Sequence, residues 1–326
     1  MNILQICHKP PYPAIDGGCI AIKNISKGLI KESCRVKILT INTIKHPFNL
    51  KAFPKDFINQ TNIESVFVDT KLNIVDAFSN LVTYDSYNIS RFFSPDFNSL
   101  LIKTLKKNTF DIILLESLFT TPYIENIKHY SQSKIILRSH NLEHIIWERL
   151  AKETSNPAKK IYLNLLSKQL KSYEIEVLNQ LDGIAAISKE DEFKYKTFNK
   201  VPKTITIPFG IDLLNYEIDK NNNSAPKFFH LGAMDWKPNL EAVGWLLKEI
   251  WPKILVKNQK AELHLAGKNM PKWLVDKKDK NVFNHGNVKN AKEFIKKYDI
   301  MIVPILSAGG IRVKIIEGMA LGKTII

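Results

Sequence analysis

The chain is predicted to be α/β, built as two doubly wound parallel-sheet domains in series. Three observations carry that prediction. Short apolar, β-branched runs alternate with longer helical patterns almost throughout, as expected of parallel strands joined by crossover helices. The runs fall into two series on either side of "DKNNNSAPK" (219–227), a polar stretch that reads as a linker. A chain of 326 residues is also long enough for two domains of ordinary size.

The first series of strands is "NILQIC" (2–7), "RVKILTIN" (35–42), "SVFVD" (65–69), "DIILLE" (111–116), "KIILRS" (134–139), "GIAAIS" (183–188) and "TITIP" (204–208). The second is "KFFHLG" (227–232), "AELHLAG" (261–267), "NVFNHG" (281–286), "DIMIVP" (299–304) and "KTII" (323–326). Helical periodicity falls between them at 18–32, 98–108, 142–152, 158–181, 239–256, 290–298 and 311–321. The expected domains are 1–207 and 227–326, joined by 208–226. "KTII" reads as the first half of a buried strand, so the second domain is expected to be incomplete.

Composition narrows the function. Hydrophobic residues make up 44% and charged residues 24%, as in a globular protein, and no apolar run is long enough to span a bilayer. The start, "MNILQICHKPP", lacks the apolar length and small-residue cleavage pattern of a signal peptide. Cys7, Cys19 and Cys34 are odd in number and show no paired metal spacing, which argues for a reducing cytoplasm. The formal net charge of +15 suits phosphate-bearing substrates or peripheral contact with an anionic membrane face. There is no nucleic-acid motif and no arginine-rich block, so nucleic acid is not an expected partner.

In doubly wound sheets, ligands bind beyond the carboxyl ends of the strands. Those ends carry Gly17-Gly18 at a helix start, Glu116, His140-Asn141, the "GAMDWKPN" turn with Lys237, and "PILSAGG". In the last helical run Val313, Ile316, Ala320 and Leu321 form an apolar stripe with Glu317 inside it. A carboxylate on a core face needs a partner or a cavity, and Lys314, three residues earlier, is in reach. Gly309-Gly310 lead into this helix and Arg312 adds a fork of donors, a combination suited to a diphosphate. Each residue also has a plainer reading. His140 could cap the next helix, Gly17-Gly18 could serve close packing, Trp236 could pack a turn, Glu116 could be a strand-end hydrogen-bonding group, and Lys314–Glu317 could be a structural ion pair. His144 reads as structural.

Taken together, "CHKPPYPAIDGG", "LRSHNLEHIIWERLA" (137–151), "IPFGID" (207–212), "LGAMDWKPN" (231–239), "LHLAGKNMP" (263–271) and "VPILSAGGIRVKIIEGMALGKTII" (303–326) resemble family 4 glycosyltransferases of GT-B architecture. The resemblance implies two Rossmann-like domains facing across a cleft, and retaining transfer from a nucleotide-sugar co-substrate to a glycan or lipid-linked acceptor. No cofactor beyond the nucleotide-sugar is expected, and because no metal-ligand cluster is visible the positive residues are expected to stand in for a divalent cation. By the same resemblance Gly17, Gly18, Gly309 and Gly310 lie against the donor diphosphate, with Lys237 near it. His140 meets the transferred sugar, Arg312 and Lys314 neutralise the leaving diphosphate, and Glu317 binds ribose hydroxyls. This sequence departs from the family twice: Gly309 stands where a first glutamate is common, and Ala233 and Asn239 stand near the places of a basic pair. Two rival functions share the architecture. A sugar-nucleotide epimerase would need proton-transfer carboxylates, of which Glu116 is the best candidate; an inactive sugar-nucleotide-binding protein would need none.

Overall fold

The computed structural model describes residues 1–70, 87–218, 226–305 and 313–326. The chain divides into two compact units, Met1–Gly210 and Ile211–Ile326.

The first unit is a seven-stranded parallel sheet in the order β3-β2-β1-β4-β5-β6-β7. Its strands are β1 (Asn2–Cys7), β2 (Arg35–Asn42), β3 (Glu64–Phe67), β4 (Ile112–Glu116), β5 (Lys134–Ser139), β6 (Gly183–Ala186) and β7 (Lys203–Thr206). β1 is buried on both faces over Ile3–Cys7, which is why it reads as a continuous apolar run and not as an alternation. Register places Cys7 beside Glu116, and Glu116 beside Arg138. The order reverses between β1 and β4, so the switch point lies at the carboxyl ends that carry these residues.

The described α-helices of seven residues or more in this unit are α1 (Gly17–Lys31), α2 (Lys55–Thr61), α3 (Pro95–Lys107), α4 (Ile124–Tyr130), α5 (Glu143–Glu153), α6 (Pro157–Leu178) and α7 (Lys189–Lys196). Their starts are written locally. Asp16, Ser94, Asn156 and Ser188 each accept from a backbone N–H of the first turn, and Pro95 and Pro157 stand at first helical positions that need no donor. α2, α4 and α7 were not expected from the sequence. The first two have seven residues each, too few to establish a period, and "KEDEFKYK" in α7 is polar nearly all round.

The second unit is a five-stranded parallel sheet, β10-β9-β8-β11-β12. It comprises β8 (Lys227–Leu231), β9 (Glu262–Ala266), β10 (Val282–Gly286), β11 (Ile300–Met301) and β12 (Thr324–Ile325), with α8 (Lys237–Trp245), α9 (Trp251–Lys257), α10 (Ala291–Lys296) and α11 (Val313–Ala320). The expected single helix over 239–256 is divided. Pro252 supplies no N–H and its ring crowds the preceding turn, and the chain answers with a π-helical turn over Leu246–Ile250. Trp251, at the junction, is 2% exposed and donates its indole N–H to the Lys280 carbonyl at 3.0 Å.

Two glycines set the loops after β8 and β9. A Cβ on Gly267 would lie 1.7 Å from the Gly232 carbonyl oxygen, and one on Gly232 would lie 2.6 Å from the Asn239 amide nitrogen. That amide donates to Ala233 O at 2.9 Å, so Asn239 holds the loop. Gly244, within α8, has no atom within 4 Å of an added Cβ.

The expected outcome of alanine substitution is therefore opposite at two glycines. Gly244→Ala should stabilise by about 0.5–1 kcal/mol through helix propensity. Gly267→Ala should lower stability by several times that or abolish folding of the second unit, because backbone must move. Thermal melts of the two variants check both signs.

Candidate functional site

Glu116, the last residue of β4, is fully buried and sits at the centre of a polar network. Gln5 donates to its Oε1 at 2.8 Å, and Ser26 Oγ in turn donates to Gln5 at 2.7 Å. Arg138 Nη1 donates to Oε2 at 2.8 Å, and His140 Nε2 lies 2.7 Å from the same oxygen. His8 donates its Nδ1–H to the Glu116 carbonyl at 2.9 Å, and its ring meets that of His140 edge-on at 5.3 Å. Burial alone would raise the Glu116 carboxyl, but the Arg138 charge and the His140 hydrogen bond outweigh it and hold it down at about 2. Burial lowers the His140 imidazole, Glu116 opposes that, and Arg138 and Lys9 add to it. The Arg138 guanidinium is 2% exposed, and its Nε and Nη2 make no hydrogen bond among the described residues.

His140 does not cap a helix. α5 begins at Glu143, and its cap residue Leu142 contributes no side-chain bond. The orphan donors at that end, the N–H groups of Glu143 and His144, are met by the Glu174 carboxylate of α6 at 3.4 Å each. His144 Nδ1 lies 2.6 Å from Glu174 Oε2, and the Tyr195 hydroxyl donates to Oε1 at 3.3 Å. His144 is thus structural. Glu143, 8% exposed, shares this pocket, and burial with the neighbouring Glu174 charge pushes its carboxyl up to about 7.

At the start of α1, Gly18 makes room for a lysine. A Cβ there would lie 2.5 Å from Lys9 Nζ, which reaches Asp16 at 3.0 and 3.1 Å. The plainer packing role of the Gly17-Gly18 pair is therefore met at Gly18 by Lys9. His46 Nε2 lies 2.8 Å from Asp16 Oδ2, and Asp16, Cys19 and His46 bring one ligand atom each within 4.8 Å of one another. The chemistry of that set does not favour a cation. Its carboxylate is already ion-paired to Lys9, and burial and Asp16 push the Cys19 thiol up to about 12. The cluster is an ion-paired helix cap.

In the second unit Glu317 is 6% exposed on α11. Lys314 Nζ donates to its Oε2 at 2.8 Å and the Tyr216 hydroxyl to its Oε1 at 3.2 Å. The partner anticipated from the i,i+3 spacing is in place, and Tyr216 is added from 101 residues away. Lys237 opens α8 and pairs with Glu241 at 3.3 Å. Gly309, Gly310 and Arg312 lie outside the described residues. The structure thus gathers His140 with Glu116 and Arg138, Gly18 with Lys9, and Lys314 with Glu317. Sequence reasoning missed Lys9, Arg138, Glu143, Glu174 and Tyr216. Only the matching charges closing "IILLE" and "IILR" offered a signal, since in adjacent parallel strands they stand side by side.

Comparison with known proteins bears on the second unit first. Residues 225–326 match the family described as glycosyl transferases group 1. No curated protein sequence matches the chain. Likeness to solved structures runs the length of it. Sucrose-phosphate synthase from Thermosynechococcus elongatus aligns over 100% of this chain and 80% of its own at a TM-score of 0.66 and 13% identity. A TarM variant from S. aureus, solved with fondaparinux, alpha-GlcNAc-glycerol and UDP, aligns over 99% and 85% at a TM-score of 0.63 and 12% identity. HepE from Anabaena, in complex with UDP and glucose, aligns over 99% and 79% at a TM-score of 0.58 and 12% identity. The fold is GT-B, with two Rossmann-like domains. The group 1 match supports a glycosyltransferase. Among the described residues no helix is long and apolar enough to cross a membrane.

One consequence of the Glu143–Glu174 pocket is a stability that depends on pH. The folded-state pKa of Glu143 is raised from 4.5 to about 7, so its contribution is fully present below the unfolded value and is lost as pH rises through about 7. A shift of that size corresponds to at most about 3 kcal/mol. Glu143→Gln should flatten the dependence of Tm on pH between those two values, and melts across that window read the slope.

Proposed function

We propose that the protein is a retaining, metal-independent glycosyltransferase. In this reading it moves a hexose-type sugar from a nucleotide-sugar donor to a glycan or lipid-linked acceptor in cell-surface polysaccharide synthesis. It would work in the cytoplasm with its basic surface toward an anionic membrane face. The observation that carries the reading is the group 1 match over the unit in which Glu317 is buried on α11. Lys314 and Tyr216 occupy one direction at each Glu317 oxygen, and a carboxylate retains further lone pairs for the vicinal hydroxyls of a ribose. Arg312 and Lys314, following Gly309-Gly310, would neutralise the departing diphosphate, with Lys237 and the Gly17-Gly18 turn as further donor contacts. His140 would meet the transferred sugar. The TarM variant and HepE were solved in complex with UDP, which makes a uridine nucleotide the first donor to try.

The epimerase reading is weaker on this geometry. Glu116 has both carboxylate oxygens occupied, is fully buried and is held ionised by Arg138, so it is poorly placed to give and take a proton near neutrality. Incubation with radiolabelled UDP- and GDP-sugars and an extract of lipid-linked acceptors separates the possibilities. Labelled acceptor is the expected product. An epimerised nucleotide would replace this reading with the epimerase, and nucleotide bound but unchanged would replace it with a binding protein.

Two substitutions probe the donor site. Lys314→Ala should weaken UDP binding by about tenfold, the loss of one charge-assisted contact. Glu317→Gln should cost more with UDP than with 2′-deoxy-UDP, and equal losses in calorimetric titration would leave the Lys314–Glu317 pair as a purely structural one.

A further inference from the structure

The position of His140 relative to Glu116 specifies more than proximity. A carboxylate oxygen and an imidazole nitrogen 2.7 Å apart cannot present lone pairs to each other, so a proton lies between them. Arg138 Nη1 also approaches His140 Nε2, at 3.1 Å, but it donates to the same Glu116 oxygen at 2.8 Å. Reading Arg138 as the donor to His140 would leave two lone pairs in opposition at the shorter distance. The proton therefore belongs to Nε2.

We infer that Glu116 is a positioning residue that holds His140 as the Nε2–H tautomer, so that His140 meets its substrate through an unprotonated Nδ1. An Nδ1 lone pair accepts. The group it recognises must be a donor, which selects a hydroxyl of a sugar or of the acceptor and rejects a phosphate or carboxylate oxygen. The anion-binding work is thereby left to lysines and arginines, and the imidazole is reserved for a neutral, hydroxyl-bearing part of the substrate.

The surroundings hold this arrangement. Glu116 cannot swing away, because Gln5 fixes Oε1 and Arg138 fixes Oε2 in a fully buried setting. The titratable and charged groups around His140 are Glu116 on β4, Arg138 on β5, and His8 and Lys9 after β1. His8, with Nδ1 committed to the Glu116 carbonyl, cannot take over the contact to the carboxylate oxygens through that nitrogen. Burial keeps the imidazole neutral, with Glu116 opposing and the Arg138 and Lys9 charges assisting. The His140 side chain retains 13% exposure, enough to be touched from outside the network. No other hydrogen bond of His140 is formed among the described residues.

The Nε2 proton rests on geometry and the bare Nδ1 also on the burial that lowers the imidazole, whereas the hydroxyl contact rests on the transferase reading given above. Long-range 15N–1H correlation spectra of histidine-labelled protein, without substrate, decide the tautomer, with His140 assigned by its disappearance in His140→Gln. At pH 7.5 a protonated Nε2 and a bare Nδ1 are expected; a protonated Nδ1, or protons on both nitrogens, would overturn the inference. Glu116→Asp keeps a carboxylate in the network but draws it back by one methylene from the oxygen position that Arg138 and His140 share. This variant should show a mixture of tautomers, and an unchanged Nε2–H spectrum in it would remove Glu116 as the cause. In the transfer assay Glu116→Asp should lower kcat by about tenfold or more while donor KM stays within about twofold, the pattern of a contact used at the reacting end. Equal loss in both would indicate general structural damage and count against the positioning role. If the parent chain transfers no sugar, the transferase reading falls while the spectra still decide the tautomer.

Discussion

The ion pair between Glu116 and Arg138 is the interaction on which the first unit turns. Both partners are buried, at 0% and 2% exposure, and a charge in such a place is tolerated only when it is paired and hydrogen-bonded. The pair exists because β1, β4 and β5 are in one particular register, with Cys7, Glu116 and Arg138 abreast. A slip of one residue in either strand would turn one charge to the opposite face and strand it. Removing one partner of such a pair typically costs about 3–5 kcal/mol, so the network penalises the wrong register as strongly as it favours the right one. His140 inherits its position from this arrangement.

The second unit repeats the order of the first five strands of the first unit by other means. At the carboxyl ends of its strands the adjoining loops are tied by backbone bonds: Gly232 N to Ala266 O at 3.1 Å, Met234 N to Lys268 O at 2.8 Å and Gly267 N to Gly286 O at 2.8 Å. Glycine permits these approaches where any side chain would force the loops apart. The buried carboxylate here, Glu317, stands on a helix and not in the sheet, held by a lysine one turn before it and a tyrosine from the segment ahead of β8. One unit thus builds its polar centre into the sheet, and the other builds it on the helix that follows a strand.

Much of the fold was legible in the sequence because parallel strands buried on both faces announce themselves as apolar β-branched runs, as "NILQIC" and "KIILRS" do. The losses have physical causes. "DIMIVP" yields a strand only over Ile300–Met301, although Ile302 N and Val303 N still bond to Phe229 O and Ile326 O at 2.8 Å each, and α7 has no apolar stripe to see. Candidate positions could be picked out where chemistry and chain position coincided: His140 lies in the Glu116 network, Glu317 pairs with Lys314, and Gly18 packs against Lys9. Other partners could not, since Gln5 and Glu116 are separated by 111 residues and nothing local marks Gln5 as more than a strand position. The reading of His140 as a helix cap failed for a related reason: the cap comes from Glu174, on the next helix.

That cap has a consequence for how the protein can be taken apart. α5 has no capping side chain of its own and borrows a carboxylate from α6, whose residues Ser167 and Glu174 bond to the His144 carbonyl and to the N–H groups of Glu143 and His144. The two helices therefore form one exchangeable cassette, from Glu143 to Leu178. A chimera joined within that span would inherit a helix whose first turn faces water with its donors unmet. One joined outside it would carry the cap along, so recombination among distant relatives should tolerate breakpoints on either side of the hairpin and reject those inside it.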